Sequence, residues 1–220
     1  MTYSLTPAQT LPPASVDVIR RIYEEGFPPE QRSEFPALLD GRQPGEVTLA
    51  LTGPGSVPCG LAMLRPLGPT GWIYLRYFVV DAARRSQGLG GVLWDQVTAA
   101  QRAAGYSLLV FDVEDPAEPG ATAGQVQTRL RRIAFYERHG AAVLPVTGYG
   151  NPHGDEPEPA WDPMLLMAAG LAAGGPPTAS GAGLRSVVEA VYRYRWDLAP
   201  DDPQVLRTGY AGGRNGPAGS

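Results

Sequence analysis

A glycine-rich turn between a strand-like run and a helix-like run is the clearest sign of chemistry in this sequence. Its residues are Arg84-Arg85-Ser86-Gln87-Gly88-Leu89-Gly90-Gly91. The first turn of a helix presents unpaired backbone N–H groups and the positive end of the helix dipole, and both attract anions. Glycine lets a ligand approach the backbone closely, and the two arginines add charged donors. The turn is therefore predicted to hold a phosphate-bearing ligand.

Three common kinds of phosphate site are excluded by residue type. The chain contains no lysine, so all 18 of its Lys and Arg residues are arginine. A Walker A loop depends on its lysine, as does pyridoxal phosphate chemistry, so both are excluded. A dinucleotide-binding fingerprint would require glycine at the position of Leu93.

The remaining pattern, Arg-x-x-Gly-x-Gly, resembles the acetyl-CoA pyrophosphate loop of the GNAT (Gcn5-related) N-acetyltransferases. Arg85, Gly88 and Gly90 match the family signature residue for residue. A second segment, Ile133–Ala141, lies about fifty residues downstream and resembles the helix in which the family carries a Phe-Tyr pair followed by glycine. Two motifs in this order and at this spacing argue against a chance match. The resemblance covers roughly residues 1–170 in the order of elements and is specific at these two short stretches.

The resemblance implies that acetyl-CoA is the acyl-donor cosubstrate. Its pantetheine arm is expected along the strand that ends at Val79 and Val80, with a bulge near Tyr77-Phe78. The predicted contacts of the loop are Arg84, Arg85, Ser86, Gln87, Gly88, Leu89 and Gly90. Arg132 lies one turn before the Phe-Tyr pair, where it would either bind the phosphates or stabilise an anion. The resemblance also implies that Phe27, Glu30 and Arg32 line the acceptor pocket.

Tyr136 is the predicted acid for the thiolate leaving group. A tyrosine with an ordinary pKa near 10 is protonated at pH 7 and can donate its proton. Without the family match, packing beside Phe135 would be the favoured interpretation of this residue.

Two carboxylates at the end of a predicted interior strand are the candidate bases. The alternation of a strand places Asp112 and Glu114 on one face. They would accept the amine proton or bind an ammonium substrate, and we favour Glu114 as the base. The best-known family members instead carry a glutamate base on the preceding strand, where the nearest residue here is Tyr74.

These residues predict an N-acetyltransferase that acts on a primary amine of a small molecule or a protein, by direct transfer in a ternary complex. The alternative is a catalytically inactive CoA-binding module with a regulatory or scaffolding role. Such a module needs neither Tyr136 nor the two carboxylates, so their presence favours the enzyme.

Composition limits the other partners. The net charge is −4 and the isoelectric point is about 5.2, which argues against an extended nucleic-acid surface. One cysteine and two histidines make a metal site improbable, and none is predicted. We see neither a signal peptide nor a long apolar span, so we expect a cytoplasmic protein with no membrane partner.

The order of strand-like and helix-like runs predicts an α/β (α+β) fold. We expect a mixed, mostly antiparallel central sheet of about six to seven strands flanked by helices, of the acyl-CoA N-acyltransferase type implied by the resemblance. Ser15 is the predicted N-cap of the first helix, and 145–163 is predicted to be a long irregular loop.

The predicted domain organisation places the GNAT domain first. It covers residues 1–170 and is followed by a Gly/Ala/Pro-rich linker over 171–183, a C-terminal helical appendage over 184–207 and a disordered tail over 208–220. The helix of the appendage is expected to pack either on its own domain or on a second subunit in a homodimer.

Overall fold

The computed structural model describes residues 2–41, 43–153, 160–172 and 181–210. Its internal contacts divide the chain into two units, Met1–Leu109 and Val110–Ser220. Each unit is described in turn. The architecture is mixed α/β with mostly antiparallel strands, which confirms the predicted fold class.

Four neighbouring antiparallel strands form the sheet of the first unit. They are β1 (Ser4–Pro7), β2 (Val47–Thr52), β3 (Pro58–Pro66) and β4 (Trp72–Val80), in that order across the sheet. The aromatic and β-branched side chains of β4 favour extended backbone, as the sequence predicts. Strand β4 ends at Val80, as the sequence predicts.

A bulge interrupts the pairing of β3 with β4. Met63 lies opposite Tyr77 and Leu64 opposite Leu75, so Arg76 is the extra residue. The bulge therefore lies immediately before the Tyr77-Phe78 pair, near which the family resemblance implies one. A bulge bends its strand and turns the neighbouring side chains away from regular alternation.

Helices α1 (Pro13–Gly26), α2 (Phe35–Asp40) and α3 (Leu89–Ala103) complete the first unit. The N-cap of α1 is Pro12 and not Ser15 as predicted. Proline at the first helical position is already set to helical φ and has no N–H to leave unpaired, so the helix begins two residues before the serine. The apolar face of α1 packs into a core with β3 and β4.

The second unit contains more strands than the sequence predicts. Its elements along the chain are β5 (Leu108–Glu114, across the boundary), α4 (Ala123–Arg138), β6 (Ala141–Val143), β7 (Val146–Thr147), β8 (Gly150–His153), β9 (Ala160–Gly170), α5 (Gly181–Trp196), α6 (Pro203–Arg207) and β10 (Gly209–Tyr210). Strand β9 lies between β5 and β6 and also pairs with β8, while β7 pairs with β10.

The predicted irregular loop over 145–163 therefore contains regular structure. Strands β7 and β8 lie within it, and its residues 154–159 fall outside the described part of the chain. Short strands with prolines and glycines at their ends carry too little alternation to be recognised in sequence.

The C-terminal helix packs within its own chain. Its apolar face is buried through Val187, Val188, Val191 and Tyr192. Most of the predicted linker, residues 173–180, lies outside the described residues. Residues 209 and 210, predicted to belong to a disordered tail, form β10. Among the described helices none has the length and apolar character needed to cross a membrane.

The close approach of α1 to β4 gives a stability prediction. An ideal Cβ at Gly26 would lie 2.5 Å from Cγ2 of Val79, a distance that requires one of the two to move. We expect Gly26→Ala to lower the free energy of unfolding by about 1–3 kcal/mol, measured by urea denaturation. Val79→Ala removes the methyl group that would clash. The double variant should therefore lose less unfolding free energy than the sum of the losses in the two single variants.

A glycine with space around it provides the control. An ideal Cβ at Gly124, in α4, meets nothing within 4 Å, so Gly124→Ala should leave stability unchanged or raise it by up to about 1 kcal/mol. A Gly26→Ala variant as stable as the parent would show that α1 and β4 do not approach this closely.

Candidate active site

A buried aspartate organises the turn that leads from β4 to the glycine-rich loop. Asp81 Oδ1 accepts a hydrogen bond from the N–H of Ala83 at 3.0 Å, and Oδ2 pairs with Nη2 of Arg21 at 2.9 Å. The hydrogen bond from Arg21, followed by that from Ala83, holds the pKa of Asp81 below its ordinary value. Asp81 was not predicted from the sequence, although an aspartate immediately before a turn is a common cap.

The backbone of the loop is left-handed at two positions. Ser86 has φ of 63°, and Gly88, the N-cap of α3, has φ of 76°. No side chain caps α3 and its first turn has no acidic residue, so its unpaired N–H groups are not neutralised from within the helix. An ideal Cβ at Gly88 would meet nothing within 4 Å, so the space above the loop is open. These features fit an anionic group such as a pyrophosphate.

The predicted contact residues of the loop differ in exposure. Arg85, Ser86, Gln87 and Gly88 are exposed, and Arg84 and Gly90 are half-buried. The side chain of Leu89 is buried, so only its backbone N–H can serve a ligand.

The strand residues predicted to bind pantetheine differ in the same way. Val79 is buried, and its side chain lies against Gly26 at the end of α1. Val80 is half-buried. Backbone groups are therefore the parts of these residues that suit an extended ligand.

In the second unit, Tyr136 is buried beside two phenylalanines. Its ring centroid lies 4.4 Å from that of Phe111 and 5.1 Å from that of Phe135. Burial raises the pKa of Tyr136 to about 12, the charge of Arg132 opposes this shift, and those of nearby carboxylates reinforce it. The phenol is therefore protonated throughout the physiological pH range.

The two carboxylates of β5 have different partners. Asp112 and Glu114 are half-buried and alternate along β5 with the buried Phe111 and Val113, as strand alternation predicts. Glu114 forms an ion pair with Arg132. Asp112 Oδ2 accepts a hydrogen bond from the hydroxyl of Tyr149 at 3.2 Å.

A second arginine of α4 contacts the segment that follows β5. Arg129 Nη1 donates to the backbone oxygen of Asp115 at 2.8 Å, and Nη2 lies 2.5 Å from Oε2 of Glu118. Arg132, predicted as a phosphate contact, is the partner of Glu114. Both arginines therefore bring cationic charge to the carboxyl end of β5.

A cleft of about 280 Å³ lies in the first unit between α1 and the segment 29–36. Arg32, one of the three residues expected at the acceptor pocket, lines it, and its buried Nε–H has no hydrogen-bond partner within the described residues. Arg20 also lines it and lies 4.4 Å above the ring of Phe35. The cleft thus has both cationic and aromatic walls.

A polar cluster below this cleft was not predicted. Ser33 N–H donates to the hydroxyls of Tyr23 and Tyr77 at 2.7 and 3.1 Å, and Tyr77 donates to the backbone oxygen of Gln31 at 2.9 Å. Arg76, the bulge residue, contacts Oγ of Ser33 at 2.5 Å. Such pairings depend on the bulge and leave no signal in the sequence.

Comparison with known proteins agrees with these observations. The model of the acetyltransferase (GNAT) family matches residues 16–141. No curated protein matches the chain. Among solved structures, a protein from Bacteroides thetaiotaomicron described as a GNAT-family acetyltransferase superposes with a TM-score of 0.65 at 19% identity, over 89% of this chain and 99% of its own.

Two enzymes with named acceptors share the fold. The ribosomal-protein-S18-alanine N-acetyltransferase of Escherichia coli gives a TM-score of 0.53 at 16% identity, covering 80% of this chain and 98% of its own. The aminoglycoside 6'-N-acetyltransferase of Enterococcus faecium gives a TM-score of 0.56 at 19% identity, covering 78% of this chain and 98% of its own. One acts on a protein and one on a small molecule, so the fold does not choose between these acceptors.

The pKa of Tyr136 predicts how stability depends on pH. The unfolded residue loses its proton near pH 10 but the folded one only near pH 12, so the stabilisation is complete below pH 10 and is lost as pH rises from about 10 to about 12. We expect this alkaline loss of unfolding free energy to be smaller in Tyr136→Phe by up to about 3 kcal/mol. Urea denaturation at several pH values measures it, and identical alkaline profiles would contradict it.

Proposed function

Because this chain belongs to the GNAT acetyltransferase family, we propose that it transfers the acetyl group of acetyl-CoA directly to a primary amine within a ternary complex. That it is an acyltransferase follows from the family; the choice of acetyl-CoA among acyl donors, the amine acceptor and the mechanism are the proposal. The observation that carries it is a buried, protonated Tyr136 in the same unit as two carboxylates of β5. No comparison supports the alternative of an inactive CoA-binding module.

The loop that opens α3 is proposed to bind the pyrophosphate of acetyl-CoA. Gly88 and its neighbours offer backbone N–H groups around an open space, and Arg85 supplies exposed positive charge. The backbone of Val79 and Val80 is proposed to pair with the pantetheine arm. In this proposal Arg132 acts through its charge near Tyr136, because it is already paired with Glu114.

Acetyl transfer breaks the thioester C–S bond and forms an amide C–N bond, while the amine loses a proton and the leaving sulfur gains one. With its pKa raised to about 12, Tyr136 is a weaker acid than an alkyl thiol, whose pKa is about 8.5. Complete proton transfer from the phenol to a thiolate is therefore uphill. We propose that Tyr136 donates a hydrogen bond to the leaving sulfur and keeps its own proton. The proton lost by the amine passes through the base to water, and the thiolate takes its proton from water after it leaves.

Asp112 is the better of the two candidate bases. Glu114 is engaged with a guanidinium, so its charge is already balanced, and its proposed role is to hold Arg132. Asp112 accepts a hydrogen bond from the neutral hydroxyl of Tyr149. We therefore propose Asp112 as the group that accepts the amine proton, directly or through water, and that favours a cationic amine acceptor.

The cleft of the first unit is proposed to take part in acceptor binding. The support for this is the family resemblance at Arg32 together with the size of the cleft, which admits a small ligand or the end of a peptide. Its mixed walls suit an acceptor with both polar and apolar parts.

The donor site is tested by two matched glycine variants. Gly88 and Gly105 have φ of 76° and 90°, and an added Cβ meets nothing within 4 Å at either. Substitution by alanine at either position should therefore add about 1–2 kcal/mol of backbone strain. We expect calorimetric titration with acetyl-CoA to show at least roughly tenfold weaker binding for Gly88→Ala and unchanged binding for Gly105→Ala. Equal affinities in all three proteins would remove the loop from the donor site.

The chemistry is tested by thiol release from acetyl-CoA with a panel of small amines and of peptides that carry free amino groups. We expect turnover with at least one cationic amine. Tyr136→Phe should lower kcat by roughly ten- to a hundredfold without changing acetyl-CoA affinity, because it removes only the hydroxyl donor. Asp112→Asn should lower kcat/KM for the amine more than Glu114→Gln does.

The outcomes separate the two functions. Acetyl-CoA binding without turnover of any amine would indicate the inactive module. Unchanged kcat in Tyr136→Phe would remove the hydroxyl from the mechanism, and a larger loss in Glu114→Gln than in Asp112→Asn would make Glu114 the base.

A further inference from the structure

The matched family segment ends at residue 141, yet one of the carboxylates of β5 is contacted from beyond it. Tyr149, between β7 and β8, is buried, and its hydroxyl donates to Oδ2 of Asp112 at 3.2 Å. The backbone oxygen of Tyr149 accepts a hydrogen bond from the N–H of Met164 in β9 at 3.2 Å. Tyr149 is therefore anchored at both its main chain and its hydroxyl.

The ring of Tyr149 packs against the C-terminal helix. Its centroid lies 5.3 Å from that of Tyr192 in α5, with 34° between the planes. Tyr192 has no exposed surface. Because its ring is fixed on all sides, it limits the rotamers open to Tyr149.

The residues on both sides of Tyr149 are held by the C-terminal helices as well. The hydroxyl of Tyr192 accepts from Gly150 N–H at 3.3 Å, and Gln204 Nε2 in α6 donates to the backbone oxygen of Gly148 at 2.9 Å. Gln204 Nε2 also donates to the Tyr192 hydroxyl at 3.3 Å, so the hydrogen bonds to Gly148 and Gly150 belong to one network.

Neither glycine leaves room for the segment to move. An ideal Cβ at Gly150 would lie 2.6 Å from the backbone oxygen of Asp162, and one at Gly148 would lie 3.3 Å from that of Arg207. Close packing at both glycines resists the backbone shifts that would carry the Tyr149 hydroxyl away from Asp112.

We propose that Tyr149 is a positioning residue for Asp112 and that α5 and α6 hold it in place through Tyr192 and Gln204. The importance of this arrangement for acetyl transfer rests on the proposed role of Asp112 as the base. A hydroxyl that donates to one oxygen of a carboxylate fixes the orientation of that carboxylate.

The test begins with a readout that does not depend on activity. In the full chain, ¹³C NMR follows the titration of the Asp112 carboxyl, whose charge acts on Tyr136 together with those of Glu114 and Arg132. Tyr149→Phe leaves those three groups in place and removes a donor that stabilises the carboxylate. We expect the titration to move to higher pH by about one unit.

Two further variants test the C-terminal helices. Gln204→Ala removes the hydrogen bond to Gly148, and Tyr192→Phe removes the one from Gly150. Each should move the Asp112 titration in the same direction by a smaller amount. Tyr210→Phe is the control, since its ring lies against Arg185, 5.1 Å away, in the same unit. It should leave the titration unchanged.

Activity measurements then separate this inference from the proposed function. We expect Tyr149→Phe to lower kcat/KM for the amine roughly tenfold in the parent and to have no further effect in an Asp112→Asn background. Full activity in Asp112→Asn would overturn the base role alone, because the NMR shift would still establish the positioning contact. The inference would be overturned if Tyr149→Phe left the Asp112 titration unchanged. It would also be overturned if Tyr149→Phe lowered kcat/KM for the amine as much in the Asp112→Asn background as in the parent.

Discussion

The contact of α4 with β5 is the constraint on which the candidate chemistry of the second unit depends. The ring of Tyr136 lies against Phe111, and the guanidinium of Arg132 is paired with Glu114 two residues from Asp112. Apolar contact and ion pair together fix how the helix lies on the strand. They also desolvate the phenol, which keeps its proton even in alkaline solution. A helix placed differently would leave the phenol hydrated and the carboxylates without their cationic neighbour.

The two carboxylates of β5 carry the same charge but have different partners. Both occupy the same face of one strand, but Glu114 meets a cation and Asp112 meets a hydroxyl. The ion pair with Arg132 commits the carboxylate of Glu114 to a structural contact. The hydrogen bond from Tyr149 instead holds one oxygen of the Asp112 carboxylate. Strand position therefore selects the pair of residues, and the elements packed against the strand distinguish their roles.

The parts of this protein that sequence predicts are those governed by local rules. The loop at Gly88, the strand through Val79 and the tyrosine at 136 each follow from residue type, alternation or a short motif. The partner of Arg132 depends on how a helix lies on a strand, and no spacing encodes that. The same holds for Tyr149, which contacts Asp112 over a separation of 37 residues in the sequence. It also holds for Tyr192, which hydrogen-bonds to Gly150 over a separation of 42 residues.

The hydroxyl of Tyr192 has more neighbours than it can satisfy at once. It carries one proton, and the Thr208 hydroxyl uses its own proton on the backbone oxygen of Gln204, 3.0 Å away. The proton of Tyr192 must then choose between the oxygen of Gly150 at 3.4 Å and Oγ1 of Thr208 at 3.3 Å. Two nearly equal proton arrangements on fixed heavy atoms resemble the proton disorder of ice. The core of this unit thus retains some entropy without any movement of its side chains.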